Sequence, residues 1–227
     1  MLWIKTFFGI LFQTCLLGLF LYLPALTLNW SEASLFLSIH FSITILASCY
    51  LLIFKPSSIE ARMNYDSGAQ PQEDKLATAL MFSAIILGLS LAPIDIFHLN
   101  LSPVFEGVTK NAGLVIYILG MLLVMASMNA NEFAETTVSI QEGRGQKVID
   151  TGIYSMVRHP MYTGFIFFIT GVNVWLGTYL SLTLSLIFLA IALRSRISIE
   201  EKTLLNDLDG YEGYCKKVKA RLVPYLF

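Results

Sequence analysis

The sequence has few charged residues and few cysteines. Only 14% of its 227 residues are Asp, Glu, Lys or Arg, and it has three cysteines and three histidines. Cys15 and Cys49 lie inside apolar segments, Cys215 lies near the C-terminus, and no pair has metal-ligand spacing. We therefore expect neither a disulfide framework nor a metal site. The net charge of −1 and the lack of a basic tract with interleaved aromatics argue against nucleic-acid binding.

Apolar residues are abundant and clustered. They make up 56% of the chain, and the mean hydropathy is +0.67, which lies outside the range of soluble proteins. The pattern predicts an all-α, polytopic integral membrane protein with about six transmembrane helices. The apolar blocks run over 7–28, 33–54, 76–94, 113–130, 161–175 and 178–193. The last two are short, and Gly177 with Thr178 between them predicts a C-terminal helical hairpin, with a re-entrant pair as the alternative.

The basic residues indicate the orientation. With the N-terminus inside and six crossings, every Lys and Arg except Lys110 falls on the cytoplasmic side. Lys and Arg are enriched in cytoplasmic connections, so we expect both termini to be cytoplasmic. The first apolar block exceeds a typical signal-peptide core, and we expect it to be a retained helix.

The chain divides into two parts. Residues 1–112 have the composition of a membrane scaffold, with a polar segment from Lys55 to Lys75 that predicts an exposed connection. In residues 113–227, polar groups gather on the cytoplasmic side of the last three membrane segments. The first such stretch follows the fourth helix, from Asn129 to Ile149, and its glycines around 142–145 indicate an ordinary exposed turn.

The second polar stretch, over 151–164, opens directly into an apolar helix. Pro160 suits a first helical turn, which places His159 near the N-cap with Arg158 before it. Two cation-capable side chains at a helix start would bind a carboxylate or phosphate well. The alternative is that Arg158 contacts lipid headgroups, His159 only caps, and Tyr154 and Tyr162 are interfacial aromatics.

The third stretch contains Arg196, Glu200 and Glu201, where the hairpin emerges into the cytoplasm. Adjacent carboxylates cannot share one helix face, so at most one of them faces a common pocket with Arg196. Beyond them, apolar residues recur at three- and four-residue intervals. This spacing predicts a cytoplasmic amphipathic tail helix on the membrane surface, interrupted near Gly210.

In this order and spacing the motifs resemble the membrane methyltransferases typified by isoprenylcysteine carboxyl methyltransferase. The likeness covers roughly the C-terminal half. The segment before the hairpin, the Arg and Glu-Glu after it, and the tail match at Gly152, Tyr154, Val157, Arg158, His159, Pro160, Tyr162, Gly164, Arg196, Glu200, Glu201, Leu204, Tyr211, Tyr214, Arg221, Leu222, Val223 and Pro224. The chain also resembles the phospholipid N-methyltransferases, which have a G-x-G motif on the preceding membrane helix. Here Ile118 replaces the first glycine of that motif, and Gly120 matches the second.

The resemblance implies S-adenosylmethionine in a cytoplasm-facing pocket between the fourth helix, the hairpin and the tail. It implies cofactor-binding roles for Gly120, Tyr154, Arg158, His159, Tyr162, Gly164, Glu200 and Glu201. Arg196 would orient the acceptor, and Glu201 or His159 would deprotonate an amine or thiol. The acceptor itself is not determined, and we expect a lipid-like or apolar molecule that arrives from the membrane lipids.

Two other functions remain open from the sequence. The tail from Tyr214 to Tyr225 also resembles membrane sterol reductases, which would imply NADPH, although the Glu-Glu pair favours the methyltransferase. A non-catalytic membrane protein that kept the fold is the second alternative. The sequence does not indicate the oligomeric state.

Overall fold

The computed structural model describes residues 1–63, 72–133 and 145–224, and it confirms an all-α architecture. The helices are α1 (Leu2–Ala25), α2 (Ser31–Phe54), α3 (Pro56–Met63), α4 (Gln72–Ile94), α5 (Gly107–Ala130), α6 (Pro160–Leu176), α7 (Tyr179–Asp207) and α8 (Tyr211–Lys217). A π-helical turn, Asp95–Leu99, extends α4, and a 3₁₀ turn, Gly152–Ser155, precedes α6.

Five helices are long and apolar enough to cross a membrane, and α6 is a shorter sixth. At 1.5 Å per residue, the 17 residues of α6 span about 25 Å, somewhat less than the ~30 Å hydrocarbon core. The hairpin tip nevertheless lies beside the α4–α5 connection, where the backbone N–H of Tyr179 donates to the Pro103 carbonyl at 3.3 Å and Val104 forms a β-bridge with Thr178. The hairpin therefore runs the length of the helix bundle instead of turning back partway.

Glycines bring α5 and α6 into close contact. A Cβ atom added to Gly120 would lie 2.6 Å from the backbone N of Phe168, and one added to Gly171 would lie 2.2 Å from the backbone N of Tyr117. Neither position has room for a larger residue. Small residues of this kind allow two membrane helices to approach each other closely. Gly164 lies in the same contact, where an added Cβ would be 2.7 Å from Val124.

Each arm of the hairpin begins at an identifiable start signal, and the one at the start of α6 is the one that the sequence predicts. Pro160 is the first residue of α6 after His159 at the N-cap. Thr178 caps α7, and Thr178 and Ser181 exchange hydrogen bonds in a capping box. These residues mark where each arm starts, and they place His159 at the end of the bundle opposite the α4–α5 connection.

The segment predicted as an exposed connection is partly helical and partly buried. In α3, Ser58 is fully buried and Ile59 is 7% exposed, because Ile59 packs against Leu51 and Leu52 at the end of α2. The same polar segment extends into α4, where Asp74 is also fully buried. Residues 64–71 and 134–144, which include most of the predicted turn after α5, lie outside the described residues.

The tail differs from the prediction of a helix lying on the membrane surface. α7 continues to Asp207, Gly210 adopts a positive φ of 84°, and α8 then runs back along the protein. Tyr211 and Tyr214 are buried and, with Val218, pack against Val148. The apolar face of the tail is therefore covered by protein.

Candidate active site

Glu201 accepts hydrogen bonds from three cation-capable side chains. Its Oε1 lies 2.8 Å from Nε of Arg158 and 3.1 Å from Nε2 of His159, and its Oε2 lies 2.8 Å from Nη2 of Arg221. The Glu201 side chain is only 8% exposed. Charge-assisted bonds of this kind are about twice as strong as neutral ones. Glu201 thus joins the start of α6 to α7 and to the tail.

The chain over 218–222 passes directly across the start of α6. The backbone N–H groups of Arg158 and His159 donate to the carbonyls of Ala220 and Arg221 at 3.0 and 2.9 Å. The Thr163 hydroxyl donates to the carbonyl of Leu222 at 2.6 Å. These bonds hold the Arg-Leu-Val-Pro segment over the start of α6, where it covers one side of the site.

A second network runs through Tyr162. The Tyr162 hydroxyl donates to Oε2 of Glu200 at 2.5 Å and accepts from Nε of Arg196 at 3.1 Å. Arg196 also donates to Asp74 and, at 2.8 Å, to the hydroxyl of Thr78. Asp74 and Arg196 are 0% and 3% exposed, so this ion pair is fully buried. It connects α4, in the N-terminal half, to the carboxylate of Glu200.

A cavity opens beside these two networks. It encloses about 780 Å³ of space not filled by protein atoms, including the part open to solvent. Its walls come from the end of α5, residues 146–149, the start of α6, the end of α7, and α8. The predicted site residues that line it are Tyr154, Arg158, His159, Tyr162 and Glu200. A concave lining that combines aromatic side chains with a few charged groups is typical of small-molecule sites.

The other predicted site residues do not line the cavity. Gly120 and Gly164 lie in the contact between α5 and α6, while Arg196 and Glu201 lie behind the wall, where their charged groups hold Tyr162, Arg158 and His159 in place. Their proposed cofactor-binding and catalytic roles stay predictions. The adjacent carboxylates do separate as expected, since Glu200 faces the cavity and Glu201 faces the tail.

Burial and ion pairing alter the titration of the groups around the cavity. Burial raises the pKa of the Tyr154, Tyr211 and Tyr214 hydroxyls well above the usual value, so these groups stay neutral. Burial lowers the pKa of Arg158, but the hydrogen bond to Glu201 and the negative charge of Glu201, with smaller contributions from Cys215 and Tyr211, together outweigh it, and the net effect is a raised pKa. The cavity therefore presents neutral aromatic rings beside a permanent cation.

Sequence reasoning misses two parts of the site. Asp74 was assigned to a connection, because nothing local marks its pairing with Arg196, 122 residues away. Asn131 and Phe133 line the cavity, as do residues 146–149, although the sequence predicts only an exposed turn around 142–145 in this stretch and no site residue. Tyr154 and Tyr162 were considered as interfacial aromatics, but they are 7% and 4% exposed. Their burial excludes that alternative.

Comparison with known proteins shows similarity to membrane methyltransferases. The family model for Phospholipid methyltransferase matches residues 108–207. A Probable protein-S-isoprenylcysteine O-methyltransferase of Oryza sativa is 30% identical over 159 residues, covering 66% of this chain and 81% of that protein. The Protein-S-isoprenylcysteine O-methyltransferase of Schizosaccharomyces pombe is 32% identical over 96 residues, covering 42% of this chain and 41% of that protein. A Delta(14)-sterol reductase of Saccharomyces cerevisiae is 30% identical over 151 residues, covering 61% of this chain and 34% of that protein.

Proposed function

The chain belongs to the protein-S-isoprenylcysteine O-methyltransferase-like family of integral membrane methyltransferases, and on this premise we propose that it uses S-adenosylmethionine to methylate a lipid-like or apolar acceptor. The observation that carries the cofactor assignment is the cavity at the start of α6, which joins a carboxylate, cations and aromatic faces in one enclosed space. The matched relatives differ in the share of their length that this chain covers, from 81% down to 34%, so the acceptor is inferred from the site.

The cavity residues fit the cofactor. Oε2 of Glu200 is bound by Tyr162, whereas Oε1 has no hydrogen-bond partner among the residues that the structure describes. This free oxygen suits the amino group or a ribose hydroxyl of the cofactor. Tyr154 and Tyr162 offer ring faces for the adenine, and aromatic faces also attract a sulfonium cation.

The carboxylate of the cofactor needs a cation in the same cavity. Arg158 and His159 line the cavity, but Glu201 already accepts hydrogen bonds from both side chains. Lys147 also lines the cavity, is exposed, and has no ion-pair partner in the described part of the chain. We assign the carboxylate to Lys147 together with the remaining N–H groups of Arg158.

The protein's contribution to methyl transfer is alignment. When bound, S-adenosylmethionine supplies a methyl carbon already activated by its sulfonium. Arg196 fixes the Tyr162 hydroxyl from behind, and the tail over 218–222 covers the start of α6, so the chain's own residues orient the reactants and exclude water. Arg196 and Glu201 act in this proposal as positioning residues, because neither lines the cavity.

The cavity is proposed to face the cytoplasm. It lies at the end of the bundle opposite the α4–α5 connection, close to Arg158, Arg194 and the basic tail. The positive-inside bias places this end in the cytoplasm. A soluble cofactor would enter there, while an apolar acceptor would reach the cavity from the bilayer.

Calorimetric titration of the purified protein in detergent tests the cofactor. We expect S-adenosylhomocysteine to bind, and NADPH, which the sterol-reductase similarity would call for, not to bind. Glu200→Gln removes a charge-assisted hydrogen bond worth about 1.5–3 kcal/mol, so the Kd should rise at least tenfold. Glu212→Gln is the matched control, since its exposed carboxylate pairs only with Lys216 among the described residues. Binding of NADPH alone would overturn the proposal in favour of a reductase, and binding of neither ligand would favour a non-catalytic protein.

The acceptor class is tested separately, with cofactor binding already established. Methyl transfer to membrane lipid extracts is compared with transfer to freely soluble amines, thiols and carboxylates. A clear preference for lipid extracts is expected. Transfer only to soluble compounds would refute the apolar acceptor and leave the cofactor assignment standing.

A further inference from the structure

A second, separate groove lies between α6, α7 and the end of the tail. It encloses about 1200 Å³ of space not filled by protein, including the part open to the surroundings. Most of its lining is apolar and comes from the membrane-spanning parts of the two helices: Ile166, Leu186, Leu189, Ala190, Leu193 and Ile197. A groove of this composition on a membrane helix pair suits a hydrocarbon chain.

The length of the groove matches one leaflet of the bilayer. Along α7 it extends from Leu186 to Ser198, which is about 18 Å at 1.5 Å per residue. Half of the ~30 Å hydrocarbon core is about 15 Å. The groove ends at the level of Glu201 and Arg221, the same end of the bundle as the cavity beside α6. The groove is therefore long enough to cross one leaflet of the bilayer, the leaflet on the cavity side, and too short to cross both.

The charge at that end of the groove is positive. Arg194 and Arg221 line it, and no Asp or Glu does. Arg221 is held by Glu201, whereas Arg194 is exposed and has no hydrogen-bond or ion-pair partner in the ranges that the structure describes. Arg194 thus leaves one uncompensated cation beside the polar end of the groove. The exposed Ser198 adds a hydroxyl there.

The Glu201 cluster separates this groove from the cavity. Arg158 and His159 line the cavity, Arg221 lines the groove, and all three contact the carboxylate of Glu201. A molecule whose polar end is held at Arg194 would be kept apart from the cofactor cavity by these ion pairs. This arrangement favours a resident lipid over a reacting acceptor.

We propose that the α6–α7 groove binds an anionic phospholipid of the cytoplasmic leaflet, with one acyl chain along α7 and the phosphate at Arg194. Arg194 supplies the charge preference, and the apolar lining supplies most of the affinity. The bound lipid fills the space between the hairpin arms and lies against Arg221, so it supports the tail segment that closes the cavity.

Native mass spectrometry of the detergent-purified protein, titrated with phosphatidylglycerol and with phosphatidylcholine, tests the proposal. We expect saturable retention with a preference for phosphatidylglycerol. Arg194→Gln should weaken phosphatidylglycerol binding about fivefold, because one Arg near a membrane surface contributes about 1 kcal/mol toward an anionic lipid. Lys202→Gln is the matched control, since Lys202 is an exposed cation on the same helix that does not line the groove. Equal losses in both variants would overturn the proposal.

The chain site is tested by filling the groove. Ala190→Trp places a large ring among the lining residues at an exposed position, so the fold should tolerate it, and both lipids should be lost. Ile191→Trp, at a 54% exposed lipid-facing position outside the groove, should change nothing. If Ala190→Trp leaves phosphatidylglycerol bound, or if an S-farnesylated cysteine derivative displaces it competitively, the groove belongs to something else and the proposal fails. These readouts do not depend on catalysis, so their failure leaves the methyltransferase proposal intact.

Discussion

The buried pair of Asp74 and Arg196 offers the sharpest test of the site. Asp74→Asn keeps the size of the side chain but removes the negative charge that Arg196 faces at 3% exposure. Removing one partner of a buried ion pair leaves the other charge uncompensated and costs about 3–5 kcal/mol. For a chain of this length, each kcal/mol corresponds to about 2–4 °C in Tm. We therefore expect a loss of about 10 °C in a thermal unfolding assay in detergent.

The same substitution should also weaken cofactor binding. Arg196 donates a hydrogen bond to the Tyr162 hydroxyl, and Tyr162 donates one to Glu200. If Arg196 moves toward solvent in the variant, Tyr162 and the Glu200 carboxylate should shift as well. We expect a higher Kd for S-adenosylhomocysteine in Asp74→Asn at a temperature where the variant is still folded. Asp209→Asn, at an exposed position between α7 and α8, is the control and should change neither quantity.

A double-mutant cycle decides whether the pair acts as described. Asp74→Asn combined with Arg196→Gln removes both charges of the ion pair, so the loss in stability should be smaller than the sum of the two single losses. Strictly additive losses would refute the reasoning, because they would mean that the two charges do not compensate each other. A Tm for Asp74→Asn equal to that of Asp209→Asn would refute it as well.

Three further predictions follow from the packing and from the charges. Gly171→Ala should prevent normal packing of α5 against α6, because its Cβ would lie 2.2 Å from a backbone nitrogen. Gly9→Ala is the control and should be neutral, because its Cβ would have nothing within 4 Å. Thermal unfolding of the two variants tests this difference. Glu201→Gln should release the tail from α6, because the carboxylate that Arg158, His159 and Arg221 contact loses its charge. Limited proteolysis should then cut near residue 219. Unchanged protection at that position would contradict the role of Glu201 in holding the tail. Burial raises the pKa of the Cys215 thiol, so with the other two cysteines replaced by serine, alkylation should require a higher pH than that of an ordinary thiol.

The start of α6 shows how well local signals predict a site. Pro160 and the adjacent cation-capable residues predict a helix start with polar groups, and the structure has that start at Pro160. The sequence predicts that Arg158 and His159 bind the carboxylate or phosphate of a ligand. This prediction is incomplete, because the carboxylate of Glu201 already contacts both side chains. The sequence identifies Arg158, His159 and Glu201 as site residues. It does not show which carboxylate of the Glu-Glu pair faces the cavity and which faces the tail.

Glycine positions show the opposite case. Gly120 and Gly164 match a family motif and were assigned to the cofactor, while the structure places them between helices. A local signal did exist, since Gly113 and Gly120 on α5, and Gly164 and Gly171 on α6, are each seven residues apart, which places each pair on one helix face. Two such faces predict a close helix contact as readily as they predict a ligand.

The sequence by itself determined the membrane class, the positions of the long apolar helices, the hairpin and the charged residues at the start of α6 and the end of α7, because hydropathy and proline signals act within a few turns of the chain. The tertiary structure alone decided that Asp74 neutralises Arg196, that the tail folds back over α6, and that Glu201 separates the cavity from the α6–α7 groove. Each of these depends on contacts between residues at least 20 positions apart, often on different helices. Such contacts are set by how the helices pack, and packing leaves no local pattern in the chain.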